Sequence, residues 1–226
     1  MAILFDLDGT LLDTGPDIHR SVNAVLALEN RAPVDYMEVR QNISYGGAKI
    51  LEAALKLDIK NNPADKLYLD KLLPVFFEIH LASDCKLTTT FPGIDELLNS
   101  LEELQLPWGI VTNKTQALTE PLLEVTGHHK RSACVVFGDT TAHLKPHPAS
   151  LHYACDLLQV KTSDCVYVGD AATDIQAGKA AGMQTIAAAF GYVPPTVQVS
   201  DWQADHIATT ASEILPWIKQ WLKRIK

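Results

Sequence analysis

The sequence predicts an α/β protein: a doubly wound parallel sheet, interrupted early by an all-helical insertion. Three observations carry this. From Phe91 onward, short apolar runs alternate with helical stretches, the pattern of β-α-β units. Between Thr14 and Asp84 no period-2 pattern occurs, and apolar residues recur at helical spacing instead. The first apolar run, Ile3, Leu4 and Phe5, ends in Asp6 and Asp8. Carboxylates at the end of a buried strand sit where open α/β sheets place their ligands.

Taken in order, the opening run reads as a buried strand, and Gly9 releases the backbone for a turn. Pro16 suits a helix start, with Ile18, Val22, Val25 and Leu26 as its apolar stripe. A second helix begins after Gly46 and Gly47, with Ile50, Ala54 and Leu57 on one face. A third starts near Ala64, and Pro74 is expected to kink or split it. The segment 14–84 therefore reads as a helical module, a cap, inserted into a domain made of residues 1–13 and 85–226. Within that domain, helices are expected at 93–104, 116–125, 149–158, 173–181 and 212–226, and strands at 108–112, 134–137, 165–168 and 185–189. Trp217 and Trp221, one turn apart, suggest a docking face on the last helix, which ends in Lys223, Arg224 and Lys226.

Composition narrows the function. The chain has 226 residues, 47% hydrophobic and 20% charged, as soluble globular proteins do. A net charge of −8 argues against sequence-independent nucleic-acid binding, which needs clustered basic residues. No apolar run approaches the ~20 residues of a membrane helix, and no basic flank precedes the first apolar run as in a secretory signal. The expectation is a soluble, cytoplasmic protein with no nucleic-acid or membrane partner. The four cysteines, Cys85, Cys134, Cys155 and Cys165, are too scattered for a zinc site and read as reduced core thiols. The run His128-His129-Lys130-Arg131 reads as a solvated helix exit. His143 and His147 bracket Lys145, but Pro146 and Pro148 exclude a helical ligand pair.

In a parallel sheet all carboxyl ends meet one edge. The first strand brings Asp6 and Asp8 there; the second, Thr112, Asn113 and Lys114. The loop 138–146 brings Asp139 and Lys145, and the fourth strand brings Asp170 and Asp174. Hard carboxylate oxygens suit Mg²⁺. Thr112, Asn113 and Lys145 can offer hydrogen bonds or positive charge to an oxyanion. Metal, donors and a carboxylate nucleophile together are what phosphoryl transfer requires.

Asp6-Leu7-Asp8-Gly9-Thr10, Val111-Thr112-Asn113-Lys114, Lys145-Pro146 and Gly169-Asp170-x-x-x-Asp174 together resemble the four motifs of the haloacid dehalogenase-like phosphatases. Residues 174–183 and the second motif resemble the phosphoglycolate phosphatase branch. Gly191-Tyr192-Val193, followed by residues 202–206, resembles the N-acetylmuramic acid 6-phosphate phosphatases. The resemblance implies a Rossmann-like core with a helical cap. It implies Asp6 as nucleophile forming an aspartyl-phosphate, and Asp8 as proton carrier with its backbone carbonyl on the metal. Thr112, Asn113 and Lys145 would bind phosphate; Asp6, Asp170 and Asp174 would hold Mg²⁺, Asp174 directly or through water. Asp13 and Thr10 would shape the opening turn. In the cap, Ser44, Tyr45, Gly46 and Gly47 occupy the position that contacts substrate in relatives, with a plain helix–helix turn as the alternative. Arg40 and Lys49 flank this turn. The implied partner is a small phosphorylated metabolite, and the chain a monomer or homodimer. A phosphomutase, or a non-catalytic protein on the same fold, stands as the competing reading.

Overall fold

Residues 2–5 carry only apolar side chains and form β1 (Ala2–Phe5), buried along its whole length. The computed structural model describes residues 1–83 and 85–225. Asp84, where the sequence places the end of the insertion, and Lys226, at the end of the basic tail, lie outside the described residues. After β1 come β2 (Leu12–Asp13), α1 (Gly15–Leu28), α2 (Tyr36–Arg40), α3 (Gly47–Leu55) and α4 (Pro63–Leu81). Then follow β3 (Thr89–Thr90), α5 (Ile94–Glu103), β4 (Trp108–Val111), α6 (Gln116–Thr126) and β5 (Cys134–Val136). The chain ends with α7 (Ala149–Leu158), β6 (Cys165–Gly169), α8 (Ala172–Ala180), β7 (Gln184–Ala188), β8 (His206–Ala208) and α9 (Ile214–Ile225). It divides into two compact units, Met1–Asp13 with Thr89–Lys226, and Thr14–Thr88.

In the larger unit, six strands among the described residues form one sheet in the order β5-β4-β1-β6-β7-β8. Every pairing is parallel. The chain winds outward from β1 through β4 to β5, then returns to the far side of β1 and winds out through β6, β7 and β8. The order therefore reverses beside β1, between β1 and β6, where doubly wound sheets open a crevice at their carboxyl ends. Strands buried on both faces explain why these segments read as continuous apolar runs rather than alternating ones. β8 is three residues long and carries no such run. It is anchored by Asp205, whose Oδ2 accepts from the Thr185 amide at 2.8 Å and the Thr185 hydroxyl at 2.9 Å. The short antiparallel pair β2–β3 joins Leu12 to Thr90 and Asp13 to Thr89.

All four cysteines are buried and free, and Cys155 and Cys165 approach to 3.7 Å between sulfurs. On α9, Ile214, Ile218 and Trp221 are buried, and the helix packs on α5. Trp217 stacks between His206 and Trp221. The run 128–131 is solvated only at His129 and Lys130. His128 is buried with its ring edge-on to Trp108, and Arg131 pairs with Glu102 at 2.9 Å and bonds Asn99. The polar letters hid an aromatic contact, which charge counting does not register.

The regular structure of the smaller unit is all helical among its described residues, with turns and loops between the helices. Ile18, Val22, Val25 and Leu26 of α1 are buried together with Leu69, Leu72 and Phe76 of α4, against which α1 packs. Pro74 does not split α4, which runs through it as one helix. Pro74 is exposed, so its ring adds no crowding to the buried face, and Leu69, Leu72 and Phe76 hold the turns on either side. The unit extends to Thr88 because Asp17 Oδ2 in α1 accepts from the Leu87 amide at 3.1 Å and the Thr88 hydroxyl at 2.8 Å. The 3₁₀ turn Ile43–Tyr45 precedes α3. Gly46 has a φ of +84°, and Gly47 opens the helix. Tyr45 is exposed, and Lys49 pairs with Glu52 at 3.0 Å.

Candidate active site

The site grows from the ends of β1, β4 and β6. The Asp6 amide still donates to the Val168 carbonyl at 2.9 Å, so β1 hands its first carboxylate over in strand geometry. The chain then folds back: the amides of Leu11 and Leu12 donate to the Leu7 carbonyl at 3.0 and 2.9 Å. Gly9 makes this turn possible. Its φ is +88°, and a Cβ there would stand 2.1 Å from Asp170 Oδ2. Asp170 is held by the Tyr192 amide at 2.8 Å, with the Thr10 hydroxyl at 3.4 Å. Tyr192 in turn donates its phenol proton to Asp13 Oδ1 at 2.6 Å. Thr10 and Asp13 therefore do shape the surroundings of the turn, through Asp170 and Tyr192.

Asp6, Asp170 and Asp174 are all buried, and one carboxylate oxygen of each lies within 4.8 Å of the others. Three carboxylates in so little space repel one another and lose water. Burial, then the neighbouring Asp6 and Asp174, pushes Asp170 well above the usual carboxylate range. Burial likewise raises Asp6, to about 7; Lys145 pulls the other way and Asp174 adds to the rise. Their donors are hard oxygens only, the set that suits a divalent cation, and a cation would relieve the repulsion that raises both groups.

Lys145 supplies the positive charge present in this cluster. Its Nζ donates to Asp174 Oδ1 at 2.7 Å, Asp6 Oδ1 at 2.8 Å, the Tyr167 hydroxyl at 2.7 Å and the Val111 carbonyl at 3.1 Å. Burial alone would push this lysine down. The combined pull of Asp174 and Asp6 outweighs that and keeps the ammonium above its ordinary range. Asn113 holds the backbone that carries Lys145: its Oδ1 accepts from the Lys145 amide at 2.9 Å and its Nδ2 donates to the Lys145 carbonyl at 3.1 Å. Asp174 sits in the first turn of α8, where its Oδ2 accepts from the Ala171 amide at 3.0 Å.

Asp8 lies outside the carboxylate triad and forms an ion pair with Lys114 at 2.9 Å. Thr112 is buried, and its hydroxyl oxygen accepts from the Lys114 amide at 3.1 Å. Asp139 Oδ1 accepts from the Gln116 amide at 3.0 Å, so in this structure it caps the start of α6. His143 and His147 are exposed with their rings 4.4 Å apart, and the His147 ring accepts from the Ala149 amide.

The larger unit thus brings together Asp6, Asp8, Thr112, Asn113, Lys145, Asp170 and Asp174. Ser44, Tyr45, Gly46 and Gly47 belong to the smaller unit. Sequence reasoning gave no part to Lys114, Tyr167 or Tyr192. The first stands in a quoted motif, and its spacing from Thr112 could have suggested a partner across the edge. Tyr167 left no signal and reads as one more strand residue, while Tyr192 was singled out only for the resemblance of its segment and not as a partner of Asp170.

The chain matches the family model for haloacid dehalogenase-like hydrolases over residues 3–188. It is 40% identical to a phosphoglycolate phosphatase of Xylella fastidiosa over 203 residues, 90% of this chain and 86% of the relative. It is 35% identical to an N-acetylmuramic acid 6-phosphate phosphatase of Pseudomonas aeruginosa over 217 residues, 95% of this chain and 92% of the relative. Its fold matches a crystal structure from Haemophilus somnus, described as a predicted phosphoglycolate phosphatase, with a TM-score of 0.80. That match has 24% identity and covers 96% of this chain and 97% of the other. With the sheet order, the acidic crevice and these relatives in hand, the chain belongs to the haloacid dehalogenase-like hydrolase family.

Proposed function

We propose that this protein hydrolyses a small phosphomonoester through an aspartyl-phosphate on Asp6, using Mg²⁺ held by Asp6, Asp170 and Asp174 together with the Asp8 carbonyl. The observation that carries the reading is the buried triad of Asp6, Asp170 and Asp174 around the Lys145 ammonium at the switch point of the sheet. Bound there, Mg²⁺ supplies charge neutralisation for the carboxylates and the phosphoryl group. Asp174 would act on it directly or through water.

The chain's own residues divide the work. Asp6 attacks phosphorus, and the Lys145 ammonium offsets part of the burial that raises its proton affinity. Asp8, two residues along and outside the triad, gives a proton to the departing oxygen, then takes one from the water that opens the acyl phosphate. Lys114 aims Asp8 by its 2.9 Å ion pair. Lys145 and the Thr112 hydroxyl meet phosphoryl oxygens, and Asn113 keeps Lys145 in place through its backbone.

The substrate is proposed to be a short phosphorylated acid of the phosphoglycolate kind, on the strength of the 40% identical relative. An amino-sugar 6-phosphate is the second reading, favoured by the 35% relative and the segment around Tyr192. Choice among esters is assigned to the helical unit, with Ser44, Tyr45, Gly46 and Gly47 as its candidate element. We further propose a cytoplasmic location.

The test is phosphate release from a panel of phosphomonoesters with Mg²⁺ and with a chelator, ranked by kcat/KM. Metal-dependent release led by phosphoglycolate is expected. N-acetylmuramate 6-phosphate at the head of the ranking would install the second reading. No release from any ester would overturn hydrolysis itself.

A further inference from the structure

An ammonium has three N–H groups, and Lys145 Nζ stands within hydrogen-bond distance of four protein acceptors. If Lys145 is to meet a phosphoryl oxygen, as the reading above requires, that oxygen is a fifth claimant. Some acceptors must yield and others must hold. Asp6 and Asp174 are the ones with other roles: both belong to the triad, and Asp174 also caps α8. The Val111 carbonyl and the Tyr167 hydroxyl belong to neither role and sit on adjacent faces of the same ammonium.

Tyr167 is built for holding. It is fully buried in β6. Its single proton goes to the Val111 carbonyl at 2.8 Å, nearer than Asp174 Oδ1 at 3.2 Å, so its oxygen lone pairs turn toward Nζ at 2.7 Å. Nζ lies 5.3 Å from the ring centroid while being 2.7 Å from the oxygen. The charge therefore sits beyond the hydroxyl, in line with it, and not over the ring face. With its proton committed to the Val111 carbonyl, the hydroxyl presents only lone pairs to Nζ. A neutral acceptor orients an ammonium without cancelling its charge, which stays available to an anion.

We propose that Tyr167 is the positioning residue of Lys145. With the Val111 carbonyl, its hydroxyl fixes two of the three ammonium N–H groups and leaves the third directed at the phosphoryl oxygen. A lysine stem is long and flexible, and losing such a contact to a charged group costs about tenfold or more in function.

The experiment compares Tyr167→Phe, Lys145→Ala and the double variant with the wild type. It reads kcat/KM for the best phosphomonoester, the dissociation constant of inorganic phosphate, and that of Mg²⁺ alone. Tyr167→Phe is expected to lower kcat/KM about tenfold and weaken phosphate binding several-fold, with Mg²⁺ binding unchanged within twofold. In the Lys145→Ala background the same change should have no further effect on either quantity. Unchanged kcat/KM and phosphate affinity in Tyr167→Phe would overturn the proposal, as would an equal loss in both backgrounds, which would mean that Tyr167 acts without Lys145. If Tyr167→Phe melts below assay temperature, all four proteins are compared in the cold with trimethylamine N-oxide, which favours the folded state. A wild type that releases no phosphate from any ester would sink the hydrolase reading, while the phosphate-binding cycle would still decide the role of Tyr167.

Discussion

Two lysine–aspartate pairs stand on the same edge of the sheet and are built on opposite plans. Lys145 is 2% exposed and meets two carboxylates, a phenol and a carbonyl; its partners Asp6 and Asp174 are 12% and 2% exposed. Lys114 is 11% exposed and pairs with Asp8, itself 16% exposed. The first pair is surrounded, so its charge is worth most and its geometry is fixed from several directions. The second keeps more contact with water. In the proposed mechanism the first setting holds the nucleophile: burial raises Asp6, and the Lys145 ammonium offsets part of that rise. In the same proposal the second setting holds the proton carrier, Asp8.

The comparison breaks most sharply at Asp6. Asp6→Asn keeps the shape and removes the attacking oxygen, so turnover should fall by roughly three orders of magnitude or more, with the fold intact by circular dichroism. Appreciable remaining activity would remove the covalent route. Lys145→Ala should cost roughly a hundred- to a thousandfold in kcat/KM, the scale of losing a preorganised charge in a dry site. It should also lower the melting temperature in chelator more than in Mg²⁺, because it leaves three crowded carboxylates without their lysine. An unchanged steady-state rate would strip Lys145 of its place.

Lys114→Ala tests the other half. If Lys114 only aims Asp8, kcat should drop roughly ten- to a hundredfold through misplacement of the proton carrier. The melting temperature should fall less than in Lys145→Ala, since one carboxylate with some access to water, rather than a buried cluster of three, loses its lysine. A stability loss as large as that of Lys145→Ala would show that the two pairs are not differently built after all.

Sequence carried the charged half of this comparison and not its supports. Asp6, Asp8, Thr112, Asp170 and Asp174 were legible because they stand at or just past the ends of apolar runs, which a parallel sheet sends to one edge; Lys145, deep in a polar loop, was legible by its place beside Pro146 in the motif order. The partnership of Lys114 with Asp8 spans 106 positions and leaves no local pattern. Tyr167 sits inside an apolar strand where burial and hydrogen bonding spell the same letter. In the fold, long apolar strands and striped helices were visible. β2, β3 and β8 were not, because two or three residues make no period. Pro74 does not split α4, because propensity speaks of an isolated helix, whereas α4 is held by the residues buried around it.

Acid stability sharpens the comparison last and least, because one contribution to it comes from neither pair. His128 is 1% exposed, and neither ring nitrogen has a hydrogen-bond partner among the described residues. Burial holds its pKa below the ordinary 6.5; Arg131 pushes the same way, while Asp95 and Glu102, which face it, pull it back up. The folded protein therefore keeps His128 neutral where the unfolded chain takes a proton. Below about pH 6.5 the unfolded state binds more protons, so stability falls with pH until the folded value is passed, and above 6.5 the contribution is fully present. His128→Phe keeps the contact with Trp108 and removes the titration. The fall in melting temperature between pH 7.5 and 5.5 should become shallower in this variant, while kcat/KM stays within twofold. Whatever acid sensitivity persists in His128→Phe is the part open to assignment at the sheet edge, and an identical slope in both proteins would show that His128 contributes none of it.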